Sequence, residues 1–270
     1  MTSRKRIACF FTGGYTEINS MRIFLKKVNR NVDYIQLCPF GPRKSRSSIK
    51  TRSSIERNQN GLTGTSLINF VLEYVRNEKY HFRDEQYDAI LIEDDKDDRF
   101  LSISQSGTST LNLPDWQAHT QTITNAIHQH YPSIPVFFIY AAPEVEAWFL
   151  ADWNNSFGRV YQDDNTLTSE LNNTFSVRFR QYVNTHIVTA HYQNNIEAYG
   201  YFNGIYQKLS EEIQNALSSH DFLSEHPQHA PIRYSKKIHG EMMLENIDPE
   251  KVCQSCRIFF GNDYWNLSRL

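Results

Sequence analysis

Five carboxylates fill six consecutive positions, Glu93, Asp94, Asp95, Asp97 and Asp98, with no more than the apolar run AILI ahead of them. Carboxylates so close together repel one another, and a divalent cation with oxygen ligands is the usual way to offset that repulsion. In extended chain Glu93, Asp95 and Asp97 face one way and Asp94 the other, so two or three of them can share one Mg²⁺ or Mn²⁺. A solvated acidic loop is the alternative for any such charge run. The position after a buried strand favours the metal.

Two more acidic elements follow apolar runs. In AAPEVEAWFLAD, Ala141 to Asp152, Pro143 suits the first turn of a helix, and Glu144 and Glu146 complement the helix dipole there. Two residues apart on a helix is roughly 200° around its axis, so both glutamates face one metal only if Glu144 lies in the preceding turn. Glu144 is therefore the functional candidate, and Trp148 reads as core. In FFTGGYTEINS, Gly13 and Gly14 allow a tight turn, Thr16 is placed to cap a helix, and Glu17 enters its first turn as a dipole partner or a ligand.

These three elements need a common scaffold. RIACFF, VDYIQLC, DAILI and VFFIYA are short and almost wholly apolar, as strands buried on both faces of a parallel sheet must be. Between them EINSMRIFLKKV, SLINFVLEYV and TITNAIHQHY carry apolar residues at helical spacing. Strand and helix in alternation predict an α/β fold: a mainly parallel sheet with helices on both faces over residues 1–154. From 155 to 270 Asn, Gln, Ser and Tyr dominate, and IYQKLSEEIQNAL, Ile205 to Leu217, predicts a mostly helical region packed on that core. Ligands of open parallel sheets bind outside the carboxyl ends of the strands, so all three acidic elements converge on the functional edge.

The residues resemble a known family. A Gly-rich turn with a nearby glutamate after strand one, Asp95-x-Asp97 after an apolar strand, and PEVEAWFLAD after the next are similar to the Toprim-like proteins of a bacterial domain-of-unknown-function family, relatives of the nuclease domains of OLD-type (overcoming lysogenization defect) proteins. GLTGTSL and YSKKIHGEMMLENIDPEKV extend the likeness over nearly the whole chain, and PEVEAWFLAD is its most specific piece. The resemblance implies a Toprim fold and a Mg²⁺- or Mn²⁺-dependent nuclease acting on DNA or RNA, an effector of phage defence working beside an ABC-type ATPase. It also implies that a glutamate after strand one and the Asp-x-Asp hold the metal. With the three acidic elements it makes Asp95 and Asp97, with Glu93 or Glu17, the candidate ligands, Glu144 reaching the same site directly or through water. Glu17, Asp95, Asp97, Glu144 and Lys236 are the candidate catalytic residues. One position departs: Gly13-Gly14 stands where the family has Glu-Gly. Either Glu17 or Glu144 takes over part of the set, or the chain is a binding subunit that has lost cutting.

A polyanion approaching an acidic edge needs a basic path. Arg43, Lys44, Arg46, Lys50, Arg52 and Arg57 lie after strand two and supply one through phosphate contacts; a solvated loop is the alternative. Lys236, Lys237 and His239 in YSKKIHG are further phosphate candidates. The net charge of -2 at pH 7 conceals this asymmetry. GLTGTS lacks the lysine of a phosphate loop, and no Gly-x-Ser-x-Gly elbow occurs, which sets aside ATPase and serine-hydrolase readings. Cys9, Cys38, Cys253 and Cys256 read as structural thiols in a reducing compartment. With no membrane-length apolar run and no signal-peptide pattern, a cytoplasmic protein without membrane contact is expected.

Overall fold

Strand β1 (Lys5–Phe10) lies in the middle of a parallel sheet, paired with β2 (Val32–Cys38) on one side and β3 (Ala89–Asp95) on the other, and β6 (Val136–Ala141) extends the sheet beyond β3. All four apolar runs named above are these strands. The computed structural model describes residues 4–14, 16–39, 61–80, 82–83, 85–160, 179–183, 185, 195–219 and 234–270. The basic run from Arg43 to Arg57, with Arg43, Lys44, Arg46, Lys50 and Arg52, lies outside them.

The order β2-β1-β3-β6 means that the chain leaves β1 in one direction and returns past it to β3. Helix α1 (Glu17–Val28) and the later helices cover one face, whereas α2 (Gly64–Arg76) and α3 (Leu113–His128) cover the other. Strand residues alternate accordingly: Ile7, Cys9 and Leu91 face α1, and Ala8, Phe10 and Ile92 face α2 and α3. The carboxyl ends of β1 and β3 thus flank the point where the connections diverge, the crevice in which open α/β sheets hold ligands.

Helices α4 (Glu146–Ala151), α5 (Phe157–Val160), α6 (Leu209–Ser219), α7 (Glu241–Asn246), α8 (Pro249–Ser255) and α9 (Gly261–Ser268) follow. Phe24 of α1 stacks on Trp148 of α4 at 5.3 Å and meets Phe260 at 5.8 Å, so the later helices share one core with the sheet. Each such ring contributes roughly 1.5–3 kcal/mol by leaving water. Trp148 is core, as its spacing predicts, and the four cysteines are buried and free.

Three expectations are corrected and one unforeseen element is added. The helix expected from Ile205 starts at Leu209, because Ile205–Tyr206 (β8) pairs antiparallel with Tyr201–Phe202 (β7) across a turn in which Asn203 and Gly204 both have positive φ. Pro143 does not open a helix; α4 begins three residues later, at Glu146. Thr16 makes no capping hydrogen bond, since its hydroxyl lies against Gly240. After the acidic cluster the chain forms a hairpin, β4 (Leu101–Ile103) with β5 (Ser109–Leu111), that the sequence pattern did not announce. Among the described residues no helix is long and apolar enough to cross a membrane.

Candidate functional site

The β3 carboxylates divide by strand parity. Asp94 faces α2 and is fully used: it accepts from Thr12 Oγ1 (2.9 Å), Thr63 Oγ1 (3.0 Å), Gly64 N (3.1 Å) and Arg99 Nη2 (2.5 Å). An anion here complements the amino end of the thirteen-residue helix α2 and ties it to β1 and β3. Asp94 therefore holds the scaffold together.

Glu93 and Asp95 face the other side. Glu93 is fully buried; its Oε2 accepts from Thr12 N at 3.1 Å, while Oε1 has no hydrogen-bond partner. Asp95 Oδ1 is likewise buried without a partner. Both carboxyls are held well above the usual carboxylate range. Burial is the main cause for each; Glu17, Asp95 and Asp94 add to it at Glu93, and Glu17, Asp97 and Glu144 add to it at Asp95, against the pull of Lys236. Glu17, buried at the start of α1, is pushed up to about 7 by burial, which Lys236 opposes and Glu146 reinforces. Glu17 Oε2 occupies the space that a β-carbon on Gly14 would need, so the second glycine of the turn is what lets this side chain fold back on the loop.

The other half of the cluster is built around Lys236, which lies in the irregular helical turn Lys236–Gly240. Its Nζ is 3.1 Å from Glu146 Oε2 and 3.6 Å from Glu144 Oε1. Glu144 also accepts from Ser210 N (2.9 Å) and Ser210 Oγ (3.2 Å), at the start of α6, and Glu146 accepts from Tyr234 Oη at 2.7 Å. Because Glu144 lies in the turn before α4, it and Glu146 reach one cation together. The spacing argument allowed for this geometry, but Glu146 itself was missed. Burial disfavours the Lys236 ammonium, yet Glu146, Asp95, Glu144 and Glu17 outweigh it and raise its pKa. Burial lifts Glu146, against Lys236.

Asp97 sits past the strand end in a left-handed backbone conformation (φ 51°), its N–H donating to Pro143 O at 2.8 Å. Its carboxyl is raised by burial and then by Glu144. Between Asp95 and Asp97, Lys96 is fully buried, its Nζ donating to the carbonyls of Asp97 (2.9 Å) and Arg99 (3.3 Å). Burial lowers its pKa to about 7 although Asp97 and Asp98 oppose the change. No sequence signal marks Lys96, since a lysine among aspartates reads as an exposed charge.

Lys237 is exposed, whereas His239 is buried beside Tyr234 with its Nδ1 accepting from Ser235 N at 3.1 Å. The structure thus separates the two phosphate candidates that flank Ile238. Gly13, in the position where the resemblance expects an acid, has no room for one: its β-carbon would meet Gly61 N, Gly61 Cα (2.7 Å) and Leu62 N (2.8 Å).

Among the described residues, no three His, Cys, Asp or Glu side chains are arranged to enclose a metal ion as they stand. The donor chemistry does fit a hard divalent cation: Glu93 Oε1, Asp95 Oδ1 and Glu146 Oε2 are buried without a hydrogen-bond partner, Lys236 lies 3.1 Å from the last of them, and burial destabilises the Glu93 and Asp95 acids as anions. Compared with known proteins, the chain matches no family model, no curated protein and no solved structure.

Proposed function

We propose that this edge binds Mg²⁺ or Mn²⁺ and acts on phosphodiester bonds of DNA or RNA, as a Toprim-like nuclease. The observation that carries the reading is the pair of buried, unpartnered oxygens, Glu93 Oε1 and Asp95 Oδ1, at the crevice between β1 and β3. Glu17, Glu93 and Asp95 would hold the cation, which when bound activates water and neutralises charge on phosphate oxygens. Lys236 keeps a fixed positive charge beside them, suited to a phosphate oxygen. Glu146, itself fixed by the Tyr234 hydroxyl, pairs with that lysine. Asp97 and Glu144 border the same space. Lys237 and the basic run Arg43 to Arg57 would meet the nucleic-acid backbone, and an ABC-type ATPase in a phage-defence system is the expected partner.

A cleavage assay on plasmid, single-stranded DNA and tRNA with Mg²⁺ or Mn²⁺ tests the reading, with and without a neighbouring ATPase. Wild type should cut at least one substrate, and Glu93→Gln with Asp95→Asn should abolish cutting while leaving the metal-free protein as stable or more so, because like-charge repulsion is relieved. A second reading, a nucleic-acid-binding subunit without cutting, is favoured by Gly13, whose surroundings exclude the acid at that position. Binding that depends on salt and survives the double substitution, with no cleavage by wild type, would support it.

A further inference from the structure

We propose that Lys236 is a resident cation of the site, filling its Glu144–Glu146 half so that the edge accepts one divalent ion, on the Glu17–Glu93–Asp95 half. The inference rests on the cation reading of this edge and deepens it. The partners of the carboxylates carry it. On one half the ammonium is the counter-charge: Glu144 accepts from Ser210 N and Ser210 Oγ and lies 3.6 Å from Lys236 Nζ, while Glu146 accepts from Tyr234 Oη on Oε1 and its Oε2, which has no hydrogen-bond donor, has Lys236 Nζ at 3.1 Å as an ion-pair partner. On the other half Glu93 Oε1 and Asp95 Oδ1 are buried and unengaged. An ammonium 3.1 Å from Glu146 and a divalent ion cannot share that space, and the like charges of the two would repel strongly at such range.

The position of the ammonium is fixed by more than its ion pairs. Lys236 begins a turn that ends at Gly240, and Gly240 packs so closely on Thr16 that Thr16 Oγ1 stands where its β-carbon would be. Thr16 immediately precedes Glu17. The turn that carries the lysine and the helix start that carries an open-half carboxylate are therefore one packed unit, which sets the distance between the two halves. A flexible surface lysine has no such restraint.

Calorimetric titration of the full chain with Mn²⁺ alone tests the idea. Wild type and Lys236→Arg should bind one Mn²⁺ per chain, and Lys236→Met should bind two. Two ions on wild type, or one ion on Lys236→Met with affinity within twofold of wild type, would overturn the proposal. If Lys236→Met does not fold without metal, thermal melts replace the titration: restoration of a cooperative melt by millimolar Mn²⁺ supports the exchange of ion for ammonium, and no restoration counts against it. Absence of Mn²⁺ binding by wild type would end the cation reading itself. Binding of one ion by Lys236→Met in that case would still identify the lysine as the occupant, and binding by neither would end both.

Discussion

A β-carbon on Gly13 would collide with backbone atoms of Gly61 and Leu62, and Gly13 N already donates to Leu62 O at 2.9 Å. Backbone cannot swing aside as a side-chain tip can. Gly13→Ala should therefore destabilise the protein by about 1–3 kcal/mol, as overpacking does, lowering Tm by roughly 2–4 °C for each kcal/mol. Gly13→Glu should cost more and gain no cleavage. A melt unchanged in both variants would mean that the loop at 61–62 yields freely. At this scale the sequence was partly legible. Residue type identified Glu17, Glu93 and Asp95 as site candidates, and the period of a strand separated Asp94 from its neighbours. Glu146 was illegible because burial of a charge depends on partners far along the chain, here the turn holding Tyr234 and Lys236, and Lys96 because its partners are backbone carbonyls of its own turn, which no side-chain pattern marks.

Among the elements, α4 shows how one motif is divided between chemistry and architecture. Its first acids face Lys236, while Asp152, which ends PEVEAWFLAD, accepts from Asp248 N (2.8 Å), Lys251 Nζ (2.8 Å) and Asn155 Nδ2 (2.8 Å). It thereby joins the end of α4 to the start of α8. Burial works against the Asp152 carboxylate, but the hydrogen bonds from Lys251, Asn155 and Asp248 prevail and hold its pKa below the usual range. A depressed folded pKa gives stability that is present above the unfolded value, near pH 4, and lost as pH falls through the folded one. Asp152→Asn should lower stability at pH 7 by about 1–3 kcal/mol, and the deficit should shrink below pH 4, where wild type loses the same interactions. Chemical denaturation at pH 7 and pH 3 checks this; an equal deficit at both would refute it. Strands were the most readable elements, since runs such as AILI leave little choice but a doubly covered sheet. Helix boundaries were less so: Ile205 and Tyr206 fit a helical stripe by spacing, yet Gly204 at φ 75° turns them into a hairpin.

For the whole molecule, residues 1–154 contain every strand of the main sheet, yet they leave its α1 face covered only in part. Met243, Leu244, Ile247, Val252, Phe260 and Leu267 are fully buried in the core cluster that includes Ile7, Phe24 and Trp148. A fragment of residues 1–154 should therefore expose a broad apolar face and aggregate or remain partly unfolded, bind a dye such as ANS, and lack a cooperative melt. A fragment that melts cooperatively as a monomer would show that the face is self-sufficient. The sheet edge depends on the same distant residues. Phe138 N donates to Asp263 Oδ2 at 2.7 Å and Tyr140 N to Phe259 O at 3.2 Å, so the outer rim of β6 is closed by chain from the start of α9. On a ribosome adding roughly 5–20 residues per second, Phe259 follows Tyr140 by on the order of ten seconds. During that interval the rim of β6 presents unpaired backbone N–H groups, open to pairing with another strand, until residues 259–263 are made.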